Sequence, residues 1–236
     1  SIMTVLWVVS VRLRNASIVD PWWSILFLVV TVNTALHTGL GPRKWLVLVA
    51  VAVWSLRLFA HLFVRSLGKP EDPRYAAFRQ RFGAERYWWV SFFQVFLLQG
   101  VLVLLVSAPL QVAAAAPATS ALCWTDAAGL TLFIIGFLFE AVADAELQRF
   151  RNDLSKRGRV LDTGLWALTR HPNYFGEAVL GWGFGCFALT EPLGMVALLG
   201  PALMTYLLVR VSGVSMLDEH LLSTKPGYAE YIARTP

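Results

Sequence analysis

Ionisable side chains inside long apolar runs are expensive, so they mark where chemistry is to be sought. Three groups of them stand at helical spacing. Arg57, His61 and Arg65 lie at i, i+4 and i+8, one face of a helix. Glu140, Asp144, Gln148 and Arg151 follow at intervals of four, four and three, again one face. Arg170, His171, Asn173, Tyr174 and Glu177 crowd a third place, Glu177 about a turn further along. Each group has a plainer alternative. Arg65, Gln148 and Arg151 could reach the headgroups, Arg57 and Glu140 could neutralise one another, and His61 could be a packing residue. Three polar faces at one depth instead predict a polar cavity open to the cytoplasm.

The basic residues at the mouth of that cavity suggest its occupant. Arg149, Arg151, Lys156, Arg157, Arg159 and Arg170 fall within 22 residues, and guanidinium groups bind phosphate in a bidentate fork. Lipid headgroups are the competing source of phosphate. Asp144, Asp153 and Asp162 are interleaved with these cations; a ribose diol or an adenine amine needs such acceptors, whereas a lipid patch does not. No G-x-G-x-x-G follows a strand, and the glycines of Gly181, Gly183 and Gly185 read as close helix packing. His37, His61, His171 and His220 show no metal-ligand pairing. No Ser sits in a G-x-S-x-G setting, and neither Cys123 nor Cys186 has a His or Lys nearby to activate it. A disulfide between them is allowed but not required.

The elements that must carry these groups follow from composition. Of 236 residues, 57% are apolar and 15% charged, against about 45–50% and 25% in soluble domains. A soluble core of this size cannot hide that surface, so the chain is a polytopic membrane protein. Two cysteines exclude a disulfide scaffold, and 13% aromatic content excludes disorder. Apolar runs at 22–40, 45–64, 90–110, 125–147, 165–190 and 193–213 are each near the ~20 residues that cross a bilayer. With a further run at 1–11, which lacks signal-peptide flanks, they predict seven helices in one domain, 1–236. Alternate connections then carry 17 of the 20 Lys and Arg on one side, leaving Arg43 and Lys44 on the other and Arg57 within a span. The positive-inside rule puts the rich side and the C-terminus in the cytoplasm. The basicity is thereby a topology signal rather than a nucleic-acid one. Residues 111–118 read as an outer loop, Lys69 to Pro73 as a turn, and Lys156 to Gly158 as a helix stop.

The run from Gly158 to Glu177, ending in R-H-P-N-Y-F-G-E over 170–177, resembles the bacterial DUF1295 membrane proteins of the steroid 5-alpha-reductase superfamily. Further matches are Asp20 with Trp22 and Trp23, W-S-L-R-L over 54–58, E-D-P-R-Y over 71–75, and Leu217 to Glu219 followed by P-G-Y-A-E-Y over 226–231. The resemblance covers roughly 20–236 and implies a seven-helix reductase that takes NADPH from the cytoplasmic side. It would pass hydride to an electron-poor C=C of a steroid or other lipid in the bilayer. By local match, Asp144 and Arg151 would face adenosine and phosphate, and Asn173, Tyr174 and Glu177 the nicotinamide ribose and carboxamide. Arg159 and Arg210 would be further phosphate or ribose contacts, with Trp166 and Trp182 as walls. Asp72, Arg74, Glu140, Gln148, Leu161, Arg170, His171 and Asp218 complete the expected cofactor set.

Steroid 5-alpha-reductases hold the substrate's keto oxygen with a Tyr in the third span and a Glu in the second. This chain has Trp54 and Arg57 in that region and no acid between Pro21 and Pro70; it also has 212–216 in place of a His-rich segment. Cofactor binding therefore transfers better than substrate identity. Hydride addition to an enone leaves charge on the carbonyl oxygen, for which Arg57 or His61 is the expected donor; Tyr174, His61 or water would supply the proton. Two other readings stand beside this one. Isoprenylcysteine carboxyl methyltransferases also carry an R-H-P-x-Y-x-G run, but bind S-adenosylmethionine and usually have paired Glu where this chain has Asp218 and Glu219. A non-enzymatic lipid-binding membrane protein is the third. Nothing in the pattern sets an oligomeric state.

Overall fold

A computed structural model describes residues 1–211 and 213–236, with the backbone alone at 215, 216 and 220. Ser212 of the expected 212–216 departure, and the His220 side chain, lie outside the described residues. The fold is all-α and divides into two compact units, Ser1–Ser120 and Ala121–Pro236.

The first unit runs α1 (Ile2–Leu13), a 3-10 turn (Ala16–Ile18), α2 (Val19–Leu36), α3 (Pro42–Ser66), α4 (Pro73–Phe82), α5 (Tyr87–Ser91), a π-helical stretch (Phe92–Leu97), α6 (Leu98–Val106) and α7 (Ala108–Ala115). Helices in lipid gain little from apolar burial alone and associate through small residues and hydrogen bonds. The α2–α3 hairpin shows both: Ser24 and Ser55 are fully buried, Ser24 Oγ donates to the Ser55 carbonyl at 2.8 Å, and Phe27 meets Trp54 edge-on at 5.3 Å. Lys44 ties the turn between these helices, its Nζ donating to Thr38 Oγ1, Thr38 O and Gly39 O at 2.6, 3.0 and 2.6 Å. Arg43 and Lys44, expected in a loop, are buried in the first turn of α3, because Pro42 opens that helix.

The second unit runs α8 (Trp124–Asn152), 3-10 turns at Leu154–Lys156 and Gly164–Ala167, α9 (Pro172–Ala188), α10 (Gly194–Ala197), α11 (Leu199–Tyr206), a π-helical stretch (Leu207–Val211), α12 (Val214–Thr224) and α13 (Tyr228–Arg234). Its central feature is the crossing of α8 and α9 on paired glycines. A Cβ at Gly183 would lie 2.7 Å from the Gly129 carbonyl, and one at Gly176 would lie 2.5 Å from both Gly136 O and Glu140 N. Two backbones can come this close only without side chains between them. The packing role read for Gly183 holds, and Gly136–Gly176 is a second such contact.

Five described stretches are long and apolar enough to cross a membrane: Ala16–Leu36, Pro42–Ser66, Tyr87–Val106, Trp124–Asn152 and Gly194–Val211. Two of the seven expected spans are shorter in the structure. At ~1.5 Å per residue the twelve residues of α1 extend about 18 Å and the seventeen of α9 about 26 Å, against a hydrocarbon core of about 30 Å. The 165–190 expectation loses its first residues because 164–167 form a 3-10 turn and Pro172 starts the helix. The expected outer loop at 111–118 is helical through Ala115: Ala is the strongest helix former, and this run continues from Ala108.

Candidate functional site

The α8–α9 crossing brings together two of the three polar faces. Gly136 and Gly176 set the approach, and one turn from each stand Glu140 and Asn173. Glu140 is 3% and Asp144 7% exposed. Asn173 Nδ2 donates to Asp144 Oδ1 at 3.4 Å, joining the acidic face of α8 to the R-H-P-N segment. Tyr174 and Glu177 are half-buried on α9, and the Tyr174 ring stacks on His171 at 5.6 Å between centroids.

The segment leading into α9 is held from several directions. Gly164 has φ +63°, and a Cβ there would collide with the Glu146 carboxylate, which accepts from Leu165 N at 3.0 Å. Trp166 is buried and donates Nε1–H to Ala143 O at 3.2 Å. From the tail, Tyr231 OH donates to Trp166 O, Arg234 pairs with Asp162, and Arg170 N donates to Pro236 O at 3.0 Å. Burial and the nearby Asp162 charge push the Tyr231 phenol up to about 12, so it stays a donor at neutral pH.

Asp218 on α12 takes three donors: Arg170 Nη1 at 2.7 Å, His171 Nε2 at 2.9 Å and Tyr228 OH at 2.6 Å. Burial pushes the His171 pKa below its ordinary value and outweighs the opposing pull of Asp218. Three polar atoms of this segment, Arg170 Nε, His171 Nδ1 and Asn173 Oδ1, are buried and make no hydrogen bond among the described residues. Buried polar atoms are ordinarily paired, by protein, water or ligand, so three within four residues mark a place where a polar molecule can be held. Arg170 Nε–H offers a donor; Asn173 Oδ1 offers an acceptor. A carboxamide or a ribose hydroxyl pair carries both complements, while a phosphate carries acceptors alone.

The cations expected at the mouth are mostly at the surface. Arg149, Arg151, Arg157 and Arg159 are exposed, as are Gln148, Trp182 and Arg210, and Leu161 is half-buried. Lys156 pairs with Asp153 at 3.3 Å. Asp153 itself caps its own turn, accepting from Ser155 N and Oγ at 3.0 and 2.6 Å.

Asp72 and Arg74 belong to the first unit, where E-D-P-R-Y forms a clasp on the start of α2. Glu71 Oε1 accepts from Ala16 N at 2.7 Å, and Asp72 N donates to Ser17 Oγ at 2.6 Å. Arg74 reaches Asp72 at 2.9 Å and Asp20 at 3.3 Å. Tyr75 OH donates to Asp20 Oδ1 at 2.6 Å and accepts from Gln99 Nε2 at 3.2 Å. Arg79 forks onto Glu71 at 2.8 and 3.0 Å. Arg57 and His61 are also in this unit, half-buried on α3, with Arg65 exposed beyond them.

Sequence reasoning missed Tyr228, Tyr75, Gln99 and Glu146 as partners in these networks. Asp20 carried a signal, an acid at the head of an apolar run; Tyr228 carried none beyond its place in P-G-Y-A-E-Y.

A sequence profile of the family described as "Protein of unknown function (DUF1295)" matches residues 6–235. The chain is also similar to "Uncharacterized protein C594.04c" of Schizosaccharomyces pombe, 29% identical over 209 residues and covering 78% of this chain. It spans 60% of that relative's length. No solved structure matches.

Proposed function

We propose, starting from the fact that this chain belongs to the DUF1295 family, that it is an NADPH-dependent membrane reductase acting on an activated C=C of a steroid or other lipid-like enone. The observation that carries the reading is the trio of buried, unsatisfied atoms on Arg170, His171 and Asn173. They suit a ligand with both donors and acceptors, and the carboxamide and ribose of a nicotinamide nucleotide supply both. The exposed guanidiniums of Arg151 and Arg159 suit the phosphates. The likeness of 158–177 to the steroid 5-alpha-reductase superfamily supports the same reading. Bound NADPH would supply the hydride. The protein's part is to hold and orient: Asp144 steadies the Asn173 amide, and Trp166 and Glu146 fix the loop before α9. Tyr174 is the candidate proton source within this unit. Single substitution of Arg57 and of His61 tests either as donor to a substrate carbonyl; turnover should fall while NADPH is retained.

Seven crossings, a cytoplasm-facing cofactor cavity and a bacterial inner membrane belong to the same proposal; the Lys and Arg asymmetry supports its orientation, with the C-terminus in the cytoplasm. The deciding experiment is heat release of small molecules from the detergent-purified protein, read by absorbance near ~340 nm and by mass. NADPH among them supports the reductase. S-adenosylmethionine or its demethylated product would replace this reading with a methyltransferase. An empty protein is titrated with both, and failure to bind either removes the enzyme reading.

A further inference from the structure

Asp218 lies 47 residues from His171 in sequence, yet its Oδ1 is 2.9 Å from His171 Nε2. A carboxylate only accepts hydrogen bonds, so the nitrogen facing it must carry the hydrogen. The other two donors on Asp218 leave it no freedom to turn away: Arg170 Nη1 occupies Oδ2, and Tyr228 OH shares Oδ1 with the imidazole. The backbone supports the same placement. Gly213, which opens α12, sits so close to the preceding turn that a Cβ would lie 2.1 Å from Leu208 O. Removing Asp218 would strand a histidine that is only 5% exposed. The imidazole is further fixed in its plane by the Tyr174 ring.

We propose that Asp218 is a positioning residue that locks His171 in its Nε2–H tautomer, so that the buried Nδ1 presents a lone pair to an N–H or O–H group of the bound ligand. The proposal rests on the reductase reading only in taking that ligand to be NADPH. With Nδ1 as acceptor, His171 and Asn173 Oδ1 are two acceptors two residues apart, beside the single donor Arg170 Nε–H. Such a set selects an amide or hydroxyl group and disfavours a phosphate, whose oxygens would meet two lone pairs. The phosphates then belong with the exposed arginines of 149–159. The role differs from that of a ligand contact, since Asp218 acts through the ring it orients.

The test is nitrogen NMR of the full chain labelled with 15N-histidine in detergent, with His171→Gln assigning the ring. At neutral pH the wild-type protein should show a protonated Nε2 and a bare Nδ1. Added NADPH should move Nδ1 toward the hydrogen-bonded range while Nε2 stays put. Asp218→Asn should admit a fraction of the Nδ1–H tautomer and weaken NADPH binding roughly tenfold or more; Asp218→Glu should restore part of both. Tyr228→Phe, which keeps the carboxylate on the ring, should retain the tautomer. A protonated Nδ1 in the wild-type protein overturns the proposal without recourse to any variant. So does an Asp218→Asn protein with an unchanged tautomer and unchanged affinity. A correct tautomer in a chain that binds no NADPH upholds the role of Asp218 in the tautomer and fails the reductase reading instead.

Discussion

Gly176→Ala should unseat the site through packing alone. The new Cβ would meet Gly136 O and Glu140 N at 2.5 Å, and both are backbone atoms that no rotamer change can move. Ordinary heavy-atom contact begins near ~3.5 Å, so α8 and α9 must part by roughly 1 Å. The Asn173–Asp144 hydrogen bond, already 3.4 Å long, does not survive that separation. Overpacking costs about 1–3 kcal/mol, the lost hydrogen bond about 0.5–1.5 kcal/mol, and the better helix propensity of Ala returns about 1 kcal/mol. The net destabilisation is then roughly 0.5–3.5 kcal/mol. Gly181→Ala, on the same helix, is the control, because among the described residues its Cβ would find only Pro201 Cβ at 4.0 Å; it should be neutral or slightly stabilising. Thermal unfolding in detergent measures the first effect and, on the proposed function, NADPH titration the second. A Gly176→Ala protein that melts at or above the wild-type temperature would refute the crossing as described.

Arg159→Ala removes an exposed guanidinium, so unfolding should be unchanged within ~0.5 kcal/mol. NADPH Kd, and that of Arg151→Ala, should rise about tenfold or more if each holds a phosphate; unchanged affinity in both would end the phosphate-clamp idea. Lys44→Met strips the shared donor from Thr38 O and Gly39 O, and should cost about 1–3 kcal/mol in a denaturant or thermal midpoint. An unaltered midpoint would show the turn does not need it. Burial pushes the Asp72 pKa up, but the Arg74 side chain and backbone N–H outweigh it, leaving Asp72 below the usual carboxylate range. The stability this pair contributes is therefore complete above about pH 4 and lost as pH falls through the lower folded value. Arg74→Gln should flatten the acid limb of a stability profile taken across that window; superimposable limbs would contradict the pairing.

What the sequence made legible was whatever is local. Five spans are long apolar runs, and their limits agree with expectation to within a few residues at most ends. The helical spacing of Glu140 with Asp144, and the crowding at 170–177, marked the two faces that the α8–α9 crossing joins. The errors arose where a short-range rule overrode composition: Pro172 cut the expected 165–190 helix short, and the Ala-rich run at 108–115 stayed helical. The networks were invisible for a different reason. Tyr75 and Asp20 are 55 residues apart, and Tyr231 and Trp166 are 65 apart. No periodicity encodes such a meeting. Asp72 and Arg74, expected at the cofactor, are engaged with Asp20 and the start of α2, a pairing that spacing alone does not reveal.

The clasp that the tail places on the loop before α9 also sets an order of events during synthesis. Trp166 leaves the ribosome 65 residues ahead of the Tyr231 hydroxyl that binds its carbonyl. At about 5–20 residues per second, that is a wait of roughly 3–13 s. For that interval the nascent loop has Glu146 behind it but nothing in front. Arg170 and His171 must likewise await Asp218. The loop before α9 therefore reaches its final hydrogen-bonding only after α12 and α13 have been made, and a nascent chain arrested before α12 would hold it by its α8 contacts alone.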